Sequence, residues 1–258
     1  MGIISRFATI SSEDKARAVK ILVEGSTRDF DFFFMLTLSV LMATFGLLAG
    51  SETVVIGSML LAPLLYPVLG VALGVSMSDP LLVSRSLGTV VRSMLVAIGT
   101  AMFATWLFAF GFADGNVNAV IASRIQPNLL FLLVGVISGL AVSYALVRPK
   151  LSETLPGVAV SVALLPPLAV VGIGIAWFDL AIVSGALMMF IVNVIGIMAA
   201  GMTSFSLMNV HGEQKIAQKT IVKEEQRVQK EIAQVTAADV ETAMKTITEK
   251  PEENISNP

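Results

Sequence analysis

The sequence has no cysteine and one histidine, His211. Without cysteine there is no disulfide, no thiolate nucleophile and no Cys-ligated metal. A lone histidine, expected to be solvated beside the membrane, cannot build a multi-histidine metal site within one chain. Charge is scarce too: 14% of residues are charged, against about a quarter in soluble domains. A net charge of -2 offers no electrostatic footprint for nucleic acid. The chain contains no HExxH, P-loop or GxSxG pattern. We therefore expect no enzyme, no cofactor and no metal site. The opening residues, MGIISRFATI, have no apolar signal-peptide core. Arg6 stands where the myristoylation pattern requires Ser or Thr.

What the chain has in abundance is apolar surface. Hydrophobic residues make up 55% of it, and mean hydropathy is +0.82, so its expected solvent is lipid. A span needs about 20 apolar residues. Six segments qualify: 30–49, 51–77, 80–110, 128–147, 152–176 and 180–202. The expected fold is an all-α integral membrane protein of six transmembrane helices. Residues 1–29 form an amphipathic lead-in, with Ser12 as cap, suited to a membrane surface or a groove on the protein. The transmembrane domain occupies 30–206. A charged helical tail follows at 207–250, and 251–258 is expected to be disordered. In the tail, Val228, Ile232 and Val235 follow helical spacing, and Thr236 with Asp239 predicts the start of a second short helix. Such a seam suits a coiled coil between subunits, so a homo-oligomer is expected.

The chain also repeats itself. Ser-Glu-Thr occurs at 51–53 and again at 152–154, 101 residues later. Each copy leads to a serine five residues before a proline: Ser58 with Pro63, and Ser161 with Pro166. A second proline follows, Pro67 or Pro167, and then Gly70 and Gly74, or Gly172 and Gly174. Asp79 and Asp179 recur as helix caps 100 residues apart. Each half, 30–111 and 128–206, carries three spans. An odd number makes the second half enter the membrane in the opposite sense, which predicts an inverted repeat. Arg6, Lys15, Arg17, Lys20, Arg28, Arg85, Arg148, Lys150 and the lysines of the tail fall on one side, and Arg124 falls on the other. The positive-inside rule then places both termini in the cytoplasm.

Proline inside a helix removes a hydrogen bond and clashes with the carbonyl four residues back. Pro63 and Pro67 are expected to break the second helix, and Pro166 and Pro167 the fifth. Paired breaks near the midplane point to a transport pathway, while a packing kink is the alternative. Ser58, Tyr66 and Ser161 join the prolines as candidate pathway residues. Arg92 and Asn193, 101 residues apart, read as equivalent positions in the third helix of each half. Arg92 either pairs with Glu153 or snorkels to the interface, and Asn193 serves as polar glue between helices. Glu52 and Glu153 sit at helix starts, where carboxylates favour the dipole, and are also possible gating or ion contacts.

The run 51–64, SETVVIGSMLLAPL, followed by Pro67-Val68-Leu69-Gly70, resembles the signature of the uncharacterised hydrophobic domain family of prokaryotic membrane proteins, domain of unknown function 389. The resemblance covers roughly 12–205, and it departs at Ser51-Glu52-Thr53 and at Tyr66. It implies a membrane fold and supplies no substrate. The expected function is a transporter or channel for an ion or small solute in a prokaryotic plasma membrane. A scaffold or sensor acting through its charged tail is the alternative.

Overall fold

The computed structural model describes residues 10–109, 117–148, 151 and 156–248. Side chains at 109, 156–163, 239 and 241–248 lie outside the description. Apolar runs opened by a side-chain cap account for several of the described helices. Helix α1 is Ser12–Gly25, α2 is Phe30–Leu48 and α3 is Glu52–Met59. Helix α4 is Leu65–Met77 and α5 is Pro80–Ala109. A short α6, Ala119–Ala122, precedes α7, Leu129–Leu146. Helix α8 is Pro156–Ala176 and α9 is Leu180–Leu207. A 3-10 turn, Val210–Glu213, leads into the tail helix α10, Gln214–Thr248.

Among the described residues, four helices are long and apolar enough to cross a membrane: Phe30–Leu48, Pro80–Phe108, Leu129–Leu146 and Leu180–Leu207. The second expected segment is divided into Glu52–Met59 and Leu65–Met77, and the described side chains of the fifth, on α8, form the apolar stretch Leu164–Ala176. Helices α4 and α8 are the centre of the molecule. Residues 67–74 and 164–174 are buried without interruption. An apolar helix with no polar face has to be enclosed, and the neighbours supply the enclosure. Helix α4 packs against α5 and α9, and α8 packs against the same two helices. Helix α2 lies along α5, as α7 lies along α9.

The repeat is visible in burial residue by residue. The pattern at 81–95 returns almost unchanged at 181–195. The turns before them match as well. Ser78 and Phe178 are both left-handed, with φ of 55° and 57°. The Asp79 N–H donates to the Gly74 carbonyl at 2.9 Å, and the Asp179 N–H to the Gly174 carbonyl at 2.9 Å. These are Schellman closures. Oδ1 of each aspartate then accepts from the next helix: Leu81 and Leu82 N–H, or Ala181 and Ile182 N–H. A non-glycine residue held left-handed costs about 1 kcal/mol. Ser78→Gly is therefore expected to raise stability by about 1 kcal/mol, read as a higher melting temperature of the detergent-purified protein.

Three expectations about local structure are corrected. Ser11, not Ser12, caps α1, accepting from the Asp14 N–H at 3.1 Å. Pro166 and Pro167 do not break the fifth helix, since α8 runs through both. The 100-residue register explains this, because it places Ala163, not Pro166, opposite Pro63. Pro167 matches Pro67, which also lies inside a helix. The tail is not two helices. At Thr236 the hydroxyl donates back to the Ile232 carbonyl at 2.8 Å rather than capping a new start, and the helix continues.

Of the two settings foreseen for the lead-in, α1 takes the groove. Ala18, Val19, Leu22 and Val23 are buried, and the helix packs on α4 and α10. The foreseen tail seam is left open along the chain's own surface, with Ile232 54% and Val235 57% exposed. Residues 251–258 lie outside the described residues.

Candidate functional site

The one break in the central pair falls between α3 and α4. Helix α3 ends in tightened i+3 hydrogen bonds: Leu60 N–H to Gly57, Leu61 N–H to Ser58 and Ala62 N–H to Met59. Pro63 has no N–H, and it drives the preceding residue away from helical backbone. Ala62 accordingly carries no regular structure. The chain restarts at Leu65 with no side-chain cap. Pro67 falls in the first turn of α4, where an N–H has no intrahelical partner in any case. It stabilises the restart rather than causing the break.

Contacts fix where this break lies along α2. The Ser39 hydroxyl donates to the Ser58 carbonyl at 2.5 Å. Ser39 is nine residues into the 19-residue α2, at its middle, about 14 Å from its start. At the other side of the break, the Tyr66 ring covers Gly25, where a Cβ would come 2.6 Å from Cγ of the ring. Gly25 precedes α2. The break therefore descends from the middle of α2 to its N-terminal end instead of staying at one depth. Ser58 is fully buried, and its hydroxyl is turned onto the Val55 carbonyl at 2.6 Å. It secures the end of α3 and leaves the lining of any pathway to backbone.

The remaining predicted residues do not converge there. Arg92 is exposed on α5 and lines a cavity with Arg28 and Arg85. Asn193 is buried in α9, facing α7, with its carbonyl 3.2 Å from where a Cβ on Gly135 would stand. The predicted equivalence of Arg92 and Asn193 is one residue out of register. In the burial pattern Asn193 corresponds to Ser93, which is also fully buried. That corrects the pairing: the polar position common to both halves is the buried hydroxyl and amide, and Arg92 has no counterpart. Pro166 and Pro167 lie in the buried stretch of α8. Ser161 falls on α8 with its side chain outside the described residues, and Glu153 lies outside them altogether.

Glu52 stands in the first turn of α3, mostly exposed, 3.9 Å from the largely buried Arg124. Burial pushes the Arg124 pKa down, and Glu52 offsets part of this. Arg124 and Asn118 close the far end of α2, Asn118 Nδ2 donating to the Leu47 carbonyl at 2.7 Å. Glu52 therefore has Arg124 as a partner in the fold. Among the described residues no group of three His, Asp or Glu side chains is placed to hold a metal.

Sequence reasoning missed Ser39 and Arg28. Ser39 had a signal, being one of three hydroxyl residues in the apolar run 30–48. The importance of Arg28 shows only in three dimensions. Its Nε donates to Thr89 Oγ1 at 3.0 Å and its Nη2 to the Arg85 carbonyl at 2.7 Å.

Residues 59–199, from the end of α3 into α9, match the family described as Domain of unknown function (DUF389). The chain belongs to this family. It is also 30% identical, over 174 residues, to a protein of Methanocaldococcus jannaschii described as Uncharacterized protein MJ0678. That match covers 67% of this chain and 52% of the relative, so the chain matches about half the length of that curated relative. No solved structure matches. The matched region holds the break, both central helices and most of the long helices around them. Helices α1 and α2 and the tail lie outside the matched residues.

Proposed function

We propose that this DUF389 protein is a membrane translocator for an ion or small solute, with its pathway at the α3–α4 break. The observation that carries the reading is a helix interrupted from the middle of α2 to its end, restarting uncapped at Leu65. In lipid, interrupted backbone persists only where protein encloses it or where it lines a water-filled cavity. Interrupted central helices are also the usual place for a transporter's site. That α4 and α8 share α5 and α9 as neighbours supports two matching three-helix halves, and three spans in each half make the second run opposite to the first. On that reading the chain crosses the membrane six times, with both termini in the cytoplasm of a prokaryotic cell.

The test is flux in proteoliposomes under imposed ion and solute gradients, comparing wild type with Pro63→Ala. Continuing the helix through 60–64 is expected to cut flux by at least about tenfold while the protein still melts cooperatively. Wild type that moves nothing across the panel overturns the reading, and so does Pro63→Ala with unchanged flux.

A second reading rests on the tail. Ile232, Val235 and Val240 are 54%, 57% and 50% exposed on α10. Apolar residues spaced along an exposed helix suit a partner helix, including one from a second copy. Deleting 228–258 separates the two readings. A translocator keeps its flux, and a tail-assembled scaffold loses its oligomeric state.

A further inference from the structure

A cavity of about 450 Å³ opens between the residues just before α2, the first turns of α5 and the tail helix α10. Three guanidinium groups line it, those of Arg28, Arg85 and Arg92, against a single carboxylate, Glu225. The lining thus carries a formal charge of +2, three cations less one anion.

The neighbouring acids do not relieve this excess. Asp29 and Glu224 are both spent on Arg227, at 2.6 and 2.9 Å. Two of the three arginines are held in place. Arg28 is anchored on Thr89 and the Arg85 carbonyl, and Gly88 leaves the room, since a Cβ there would come 2.5 Å from Arg28 Nη2. Arg85 Nη1 donates to the Ile221 carbonyl at 3.2 Å and to Glu225 at 2.8 Å. Arg92 makes no hydrogen bond or ion pair to any described residue. Burial above all, and then the charges of Arg92 and Arg85, push the Arg28 pKa down, with Glu225 offsetting part of this. Guanidinium forks match the oxygen geometry of phosphate.

We propose that this cavity binds a phosphate group, as the headgroup of an anionic phospholipid or as inorganic phosphate. Its setting favours the lipid. Arg28 lies two residues before the first apolar span, so the cavity is level with the edge of the apolar layer. Leu81 and Ile232, 51% and 54% exposed, line it with apolar surface fit for an acyl chain. The tail supplies Glu225 and Ile232, so an occupant also bears on how α10 is held.

Two arms test the proposal on the full chain. In the first, protein is released from nanodiscs of equimolar phosphatidylcholine and phosphatidylglycerol, and retained lipid is counted by native mass spectrometry. Wild type is expected to keep phosphatidylglycerol preferentially. Arg92→Gln, which breaks no bond within the fold, is expected to lose that preference by about tenfold, and Glu225→Gln to strengthen it. In the second arm, inorganic phosphate is compared with chloride at matched ionic strength for its effect on the melting temperature. A phosphate-specific rise in wild type, absent in Arg92→Gln and without phosphatidylglycerol preference, assigns the site to the free anion. Equal retention of both lipids with no phosphate-specific rise overturns the proposal. So does Arg92→Gln behaving as wild type in both arms.

Discussion

Gly172→Val is expected to cost about 3 kcal/mol of stability. Helix α8 crosses α5 at Gly172, against backbone and the Ala101 methyl. A Cβ there would stand 2.6 Å from the Ile98 carbonyl oxygen, 2.8 Å from the Met102 nitrogen and 2.6 Å from the Ala101 Cβ. Two of those three atoms are main chain, so no rotamer change relieves the clash and the helices have to separate. Separation opens space around 164–174, the stretch most completely enclosed. Gly99 of α5 is the control, because a Cβ there meets nothing within 4 Å. Gly99→Ala should be neutral or stabilising by about 0.5 kcal/mol, as glycine is a poor helix former. Denaturant or thermal unfolding in detergent reads both. A Gly172→Val protein that melts with wild type would mean that α5 and α8 do not cross at that point.

Arg227→Ala is expected to release the tail from the body. One guanidinium serves two carboxylates whose side chains are only 16% and 6% exposed, Asp29 and Glu224. The Asp29 hydrogen bond is the chief reason the Arg227 pKa is raised, opposed by burial and supported by Glu224. Removing the arginine leaves two nearby acids with little water and no shared cation, an arrangement that costs several kcal/mol when fully buried. Arg227 itself is 52% exposed, so solvent screening reduces the expected loss to about 2 kcal/mol. The effect should be local. Asp29 Oδ1 still accepts from the Phe32 N–H at 2.9 Å and so still caps α2. Hydrogen exchange should therefore speed up across 214–227 while α2 keeps its protection. Unchanged exchange in the tail would show that Ala217 and Ile221, both buried, hold α10 without the ion pair.

Much of this protein was legible from residue order. The apolar runs gave the long helices. Asp79 and Asp179 accept the hydrogen bonds that start α5 and α9, because a short polar acceptor before an apolar run leaves the backbone few alternatives. Pro63 gave a real break, since it offers no N–H and drives Ala62 away from helical backbone. The repeat itself was visible as a pair of Ser-Glu-Thr motifs.

What letters could not fix was the alignment of the two halves. Matching serine to proline placed Pro166 opposite Pro63, and the 101-residue spacing of Ser-Glu-Thr placed Asn193 opposite Arg92. Burial places Ser93 opposite Asn193, and the same 100-residue register sets Pro67 against Pro167 rather than Pro63 against Pro166. Equivalence in a packed bundle is set by which residues face inward, and that depends on neighbours from the other half. For the same reason the arginines near 28, 85 and 92 read as scattered basic residues in one dimension. They share a cavity only because α5 rises beside the start of α2 and the tail folds back across both. Sequence by itself determined which segments are helical and apolar, because those are local properties of backbone and side chain. Tertiary structure alone decided which helices are central and which charges meet, because both depend on contacts between residues far apart in the chain.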